Sequence, residues 1–151
     1  MWNFSGDKPV YIQIMDEIKI RIVSGEYSVG QRLPSVRDLA EEARVNPNTM
    51  QKAMTEIERE GYILSMRTTG KYITKDEFLV KSLKTEIADR EINIFIKKMK
   101  KLSISKDEAI GLIEAHYIDE TEIGNKEPEM NAENNNQVSS DSLPGNERMG
   151  D

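Results

Sequence analysis

The sequence has no cysteine and a single histidine, His116, and these two shortages exclude much of enzyme chemistry. Without cysteine the chain can form no disulfide framework, no thiolate nucleophile and no Cys-ligated zinc site. A His-based metal cluster or a Ser-His-Asp hydrolase would have to rely on His116 alone, which argues against both. We therefore expect no metal and no cofactor, and we interpret His116 as an ordinary half-buried helix residue.

Long apolar runs are also missing from the sequence. No stretch approaches the roughly 20 apolar residues that a membrane-spanning helix needs. The first seven residues lack the basic start and the apolar stretch of a signal peptide. These features predict a cytoplasmic protein without a membrane partner.

Negative charge is concentrated at one end of the chain. The 151 residues include 21 basic and 27 acidic residues, which gives a net charge of −6. Residues 119–151 hold nine acidic and two basic residues, a net charge of −7, so residues 1–118 have a net charge of +1. The same segment is rich in asparagine and poor in apolar residues, and we predict that it is a disordered acidic tail. The overall charge therefore does not exclude an anionic partner for the rest of the chain.

Apolar periodicity in the remaining residues predicts five helices. The predicted helix starts lie near Pro9, Ser35, Asn46, Asp76 and Ser105. Serine, asparagine, aspartate and proline are all typical of the first positions of a helix. The second and third helices are short and are joined by a tight turn at Arg44-Val45. Two such helices form the helix-turn-helix pattern.

A short β-hairpin is predicted directly after this helix pair. Residues 62–66 and 71–74 favour strands, and Gly70 in the turn between them permits a positive φ. A hairpin in this position is a wing. The predicted fold is mainly α with a small β-hairpin wing: a winged helix-turn-helix over residues 8–75, a two-helix dimerisation segment over 76–118 and the tail over 119–151.

Four sequence segments carry a resemblance to a known family. They are Pro9-Val10-Tyr11-Ile12-Gln13-Ile14, Leu33-Pro34-Ser35-Val36-Arg37-Asp38-Leu39-Ala40, Val45-Asn46-Pro47-Asn48-Thr49 and Glu58-Arg59-Glu60-Gly61. In this order and at these spacings they resemble the winged helix-turn-helix of GntR-type bacterial transcription regulators. The third segment and the short two-helix C-terminal part are typical of the YtrA-like subfamily. The resemblance covers residues 8–118.

The resemblance implies a homodimeric repressor that binds double-stranded DNA. The helix of residues 47–60 would read the major groove of an inverted-repeat operator, and the wing would contact the same DNA. The YtrA-like group is often associated with transporter operons. The residues after the wing are too few for a large effector-binding domain, so a small-molecule effector stays unknown.

The predicted DNA contacts combine the resemblance with the chemistry of each side chain. Arg37 can fork to a phosphate or to guanine, and Asn48 and Gln51 can pair with adenine. Thr49 and Lys52 can contact phosphates. The wing turn has fewer basic residues than is common in the family. The predicted DNA-binding residues are Ser35, Arg37, Asn46, Asn48, Thr49, Gln51, Lys52, Arg67, Thr69, Gly70 and Lys71.

The apolar stripe of the fourth helix, together with that of the fifth, is interpreted as core or dimer seam. Its members recur at spacings of four or seven residues, which places them on one helix face. The predicted dimerisation residues are Leu79, Leu83, Ile87, Ile94, Phe95, Ile110 and Ile113.

Two other functions are weighed against this interpretation. Some GntR-like winged helices are fused to an aminotransferase-like domain that binds pyridoxal phosphate, but the residues after Thr74 are too few to supply one. We therefore expect no enzyme. A winged-helix protein-interaction module or replication-type factor without a specific operator stays open, because a body with a net charge of +1 has little non-specific attraction for DNA.

Overall fold

The computed structural model describes residues 1–118, and the predicted acidic tail lies outside this range. The chain divides into two compact units, of which the first is Met1–Ile104 and the second begins at Ser105. The first unit contains α1 (Val10–Val23), α2 (Val36–Ala43), α3 (Pro47–Arg59), β1 (Ile63–Met66), β2 (Gly70–Ile73) and α4 (Glu77–Lys101). The second contains α5 (Lys106–His116). The predicted mainly α fold with a hairpin wing is confirmed.

Side-chain caps explain why four of the helices begin where they do. Ser35 Oγ accepts a hydrogen bond from the Asp38 backbone N–H at 3.1 Å, and Asn46 Oδ1 accepts one from Asn48 at 2.8 Å. Asp76 and Ser105 cap α4 and α5 in the same way. Each cap satisfies a backbone donor that the helix itself leaves unpaired. At α1, Pro9 occupies the N-cap position and Val10 is the first helical residue, whereas proline is most typical of the first helical position itself.

The core of the first unit forms where α1, α2, α3 and the hairpin meet. Its largest fully buried side chains are Ile14, Ile18, Leu39, Met50, Met54, Ile57, Ile63 and Ile73. Burying a side chain of this size stabilises the fold by about 1.5–3 kcal/mol relative to leaving it exposed. The core therefore fixes α3 through its apolar face and leaves the opposite face in solvent.

The hairpin is joined by a third stretch of chain. β1 and β2 pair antiparallel, with Ile63 opposite Ile73. The connector before α2 runs alongside β2, where the Leu33 N–H donates to the Lys71 carbonyl and the Ile73 N–H donates to the Gln31 carbonyl, each at 2.8 Å. The wing is therefore hydrogen-bonded to the segment that leads into the helix pair.

Part of the predicted dimer seam lies inside one chain. Leu83 is only 2% exposed and belongs to the core, and Leu79 and Ile87 are partly buried against it. These three residues attach α4 to the winged helix within one chain. Farther along α4, Ile94 is 58% exposed and Phe95 is half-buried. In α5, Ile110 and Ile113 are exposed.

Candidate nucleic-acid interface

The first turn of α2 presents Arg37 to solvent. The Ser35 hydroxyl is used as the helix cap, and its neighbour Val36 is half-buried. Arg37 is exposed and forms no ion pair with any residue in 1–118. Its guanidinium is therefore available to a phosphate or a guanine.

The third helix has one buried face and one polar face. Met50, Ala53 and Met54 are completely buried, which fixes the rotation of α3 about its own axis. The predicted contact residues Asn48, Gln51 and Lys52 are exposed on the other side, and Thr49 is half-buried. Asn46 differs from them because its side-chain oxygen caps the helix. Such a helix, with its polar face outward, has the form of a recognition helix.

Two of the exposed side chains on α3 have partners within the chain. The Gln51 amide N–H donates to Thr55 Oγ1 at 3.1 Å. Lys52 Nζ lies 3.9 Å from the ring centroid of Tyr11 in α1, which is a cation–π contact. Tyr11 thereby restrains the Lys52 ammonium without neutralising it. A DNA base that pairs with Gln51 in the bidentate manner has to replace the bond to Thr55.

The wing carries one free cation and one paired cation among its predicted contacts. Arg67 and Thr69 are exposed at the turn. Lys71 Nζ instead donates to Glu58 Oε2 at 3.0 Å and to Ser65 Oγ at 2.9 Å. Ser65 and Lys71 together lower the pKa of the Glu58 carboxyl, against the opposing effect of burial. Lys71 therefore ties the wing to α3, and its charge is already partly satisfied.

The arginines of residues 1–118 fall into two groups. Those that form ion pairs within this range are Arg21, Arg59 and Arg90. Those that form none there, which we name the free arginines, are Arg32, Arg37, Arg44 and Arg67. All four are exposed, and all lie in the helix pair, in the wing turn or in the connector that pairs with the wing. An exposed guanidinium without an acidic partner favours phosphate or guanine, so this surface indicates an anionic partner.

Known proteins that resemble this chain agree with the interpretation of this surface as a nucleic-acid interface. Residues 10–73 match the family model of bacterial regulatory proteins of the gntR family. The HTH-type transcriptional regulator YhcF of Bacillus subtilis is 38% identical over 108 residues, which cover 72% of this chain and 89% of YhcF.

The chain belongs to the GntR family.

Two further relatives indicate the subfamily of the GntR family to which this chain belongs. The HTH-type transcriptional repressor YtrA of Bacillus subtilis is 35% identical over 109 residues, which cover 72% of each chain. A solved GntR family transcriptional regulator from Listeria monocytogenes is 39% identical, with a TM-score of 0.71 over 76% of this chain and all of that chain. This protein is therefore a YtrA-like GntR regulator, a DNA-binding transcription regulator with a winged helix-turn-helix. These relatives are transcription regulators and not enzymes.

The structure adds three residues to this site that are not among the predicted DNA contacts: Tyr11, Arg32 and Arg44. Arg32 packs against the wing, with its Nε 3.4 Å from the position that a Cβ on Gly70 would occupy. Gly70 has a φ of +112°, which residues with a side chain rarely adopt, so the turn needs glycine at this position. Arg44 is held in the left-handed region at a φ of +56° between α2 and α3. Arg32 directly precedes the Leu33-Pro34-Ser35 motif and Tyr11 lies inside the first family segment, so both had a sequence signal.

Within residues 1–118 no group of three or more His, Asp or Glu side chains could hold a metal ion. Over the same part of the chain, no helix combines the length and the apolar character needed to cross a bilayer.

Proposed function

We propose that this regulator is a homodimeric repressor that binds an inverted-repeat operator through α3 and the wing. The observation that carries the proposal is the set of free arginines around a recognition helix whose polar face points into solvent. Repression is supported by the name of its relative YtrA, a transcriptional repressor. Such a protein acts where bacterial DNA lies, which is the cytoplasm.

The roles of the side chains follow from their positions. Asn48 and Gln51 face outward from α3 and would read adenine edges in the major groove. Arg37 at the start of α2 and Arg67 at the wing turn would contact phosphates or guanine on either side of that helix. Thr69 and Gly70 would let the wing turn approach the sugar-phosphate backbone closely. Ser35, Asn46, Lys52 and Lys71 would position these groups or add a phosphate contact.

A second copy of the chain would bury the apolar residues that α4 and α5 leave exposed. Ile94 protrudes from α4, and α5 is an 11-residue helix with no buried side chain among its described residues. Isolated helices shorter than about 12–15 residues are marginal in water, so α5 needs a partner to be stable. Together with Phe95, Ile110 and Ile113, Ile94 would form the dimer seam. Two recognition helices in such a dimer would read half-sites roughly one helical turn, or about 34 Å, apart.

The decisive experiment is selection of binding sites from a random DNA pool at physiological salt, followed by footprinting on the recovered sequence. We expect one inverted repeat to be enriched, with protection of two adjacent major grooves. The Arg37→Ala/Arg67→Ala double variant is the control, because both side chains are exposed and unpaired and their loss should abolish enrichment without unfolding the protein. If the wild-type protein enriches no sequence from the pool, the result would instead favour a winged-helix module without a specific operator.

A further inference from the structure

We propose that the acidic segment of residues 119–151 binds the surface that carries the free arginines and competes there with DNA. The inference rests on the proposed function, since it adds a competitor for the same surface within the protein itself. It makes the chain its own weak inhibitor of DNA binding.

The first argument is charge complementarity. The free arginines form no ion pair within residues 1–118, a range that is nearly neutral as a whole, with 19 basic and 18 acidic residues. The net negative charge of the protein lies after residue 118, where nine acidic residues accompany two basic ones. Four exposed arginines without an ion pair and a segment with a net charge of −7 are therefore present in one molecule.

The second argument is reach. A segment of 33 residues spans at most about 120 Å when fully extended. The diameter of a small domain is about 30 Å. The segment is therefore long enough to reach a recognition surface, either on its own chain or on a second copy.

The third argument concerns strength. Each contact between an exposed arginine and a carboxylate contributes only about 0–1 kcal/mol and is screened by salt. Several such contacts produce a competitor that weakens with salt and that a strong site displaces. Because segment and DNA would occupy one surface, the segment should lower the apparent affinity for operator and for random DNA by the same factor.

The absence of cysteine allows a direct test on the full chain without DNA. In a Ser140→Cys variant the new thiol is the only one in the protein and takes a single nitroxide spin label. We expect the label to broaden the amide resonances of Asn48, Gln51 and Arg67 more than those of Ile20 and Val29, which are exposed outside the helix pair and wing. The effect should vanish in about 1 M salt, where the Debye length falls to about 3 Å. Equal broadening of both sets, or none, would overturn the proposal.

A matched set of full-length variants separates competition from general repulsion. One variant changes three acids of the segment to amides, Glu127→Gln, Glu129→Gln and Glu133→Gln. The control changes three exposed acids elsewhere, Asp89→Asn, Glu91→Gln and Glu114→Gln, and alters the net charge equally.

Affinity for a random-sequence duplex and for the selected operator is measured by fluorescence anisotropy. We expect the segment variant to bind both about threefold more tightly at 0.1 M salt, with no difference at high salt. An equal gain in the control would mean long-range repulsion and would overturn the proposal. If no protein selects an operator, the proposed function fails, while the spin-label result still decides whether the segment binds the free arginines.

Discussion

At the scale of single residues, Gln51 and Lys52 show how neighbours on one helix take different roles. Both are exposed on α3, but Gln51 holds a neutral hydrogen bond to Thr55 and Lys52 holds a cation–π contact to Tyr11. An amide can satisfy both edge groups of adenine, whereas an ammonium is attracted to any phosphate. The first side chain should therefore supply sequence preference and the second should supply general affinity.

The Gln51→Ala variant tests this division of roles. We expect it to lose about 1–3 kcal/mol of operator affinity and to relax the preference at one base step, with little change on random DNA. Lys52→Ala is the matched control from the next position, and it should weaken operator and random DNA alike and lower the salt slope by about one. Competition binding with operator variants is the measurement. Equal losses on both kinds of DNA for Gln51→Ala would remove its assigned role in base reading.

At the scale of whole elements, α4 serves two surfaces in succession. Its first half packs on the core through Leu83, while Ile94 in its second half is exposed. A single apolar stripe thus belongs partly to one chain and partly to the proposed dimer. A substitution that disrupts the dimer must therefore lie beyond the residues that attach α4 to the core.

Ile94→Asp and Leu83→Asp should have different effects. Ile94→Asp should leave the fold intact but shift sedimentation from dimer to monomer, because the side chain is exposed in one chain and desolvated in the proposed dimer. Its thermal midpoint should also lose the dependence on protein concentration that a dimer shows. Leu83→Asp should instead destabilise the chain itself by about 3–5 kcal/mol, since it buries a charge without a partner. If the Ile94→Asp protein still sediments as a dimer, the dimer contact does not include Ile94 and the proposed seam is wrong.

The elements also show what could be predicted from sequence. Helix starts at Ser35, Asn46 and Ser105 were predictable because the capping side chain and the backbone amide that donates to it lie within three residues of each other. The division of α4 between core and exposed surface was not, because Leu83 and Ile94 look equivalent in an apolar pattern and differ only in what packs against them. For the same reason the sequence could list Lys71 as a cation but could not show its pairing with Glu58, 13 residues away.

At the scale of the whole first unit, one buried cation joins segments that are distant in sequence. Arg21 in α1 is 5% exposed. Its guanidinium bonds Glu17 at 2.9 Å, reaches Glu42 of α2 at 3.4 Å and stacks over the Trp2 ring at 4.3 Å. The Trp2 indole N–H also donates to Glu42 at 3.0 Å. Burial alone would lower the pKa of Arg21. The hydrogen bonds to Glu17 and Tyr27, together with nearby charges, outweigh this effect, so the pKa is raised overall and the guanidinium stays charged.

This network ties the N-terminal segment and α2 to α1, so its loss should weaken the unit that presents Arg37 and α3. We expect Arg21→Met to destabilise the protein by about 1–3 kcal/mol in urea unfolding at fixed protein concentration. The cost should stay below the 3–5 kcal/mol typical of a stranded buried charge, because the carboxylates that remain are partly exposed and regain water.

Glu26→Gln provides the control for Arg21→Met. The Glu26 carboxylate lies 3.6 Å from the same guanidinium but is largely exposed. Loss of its charge should therefore reduce the free energy of unfolding by less than about 1 kcal/mol. Well-packed apolar replacements of buried ion pairs sometimes stabilise proteins. An Arg21→Met protein at least as stable as the wild type would show that the network serves to orient α2 and not to stabilise the fold. In that case its operator affinity should fall while its unfolding midpoint does not.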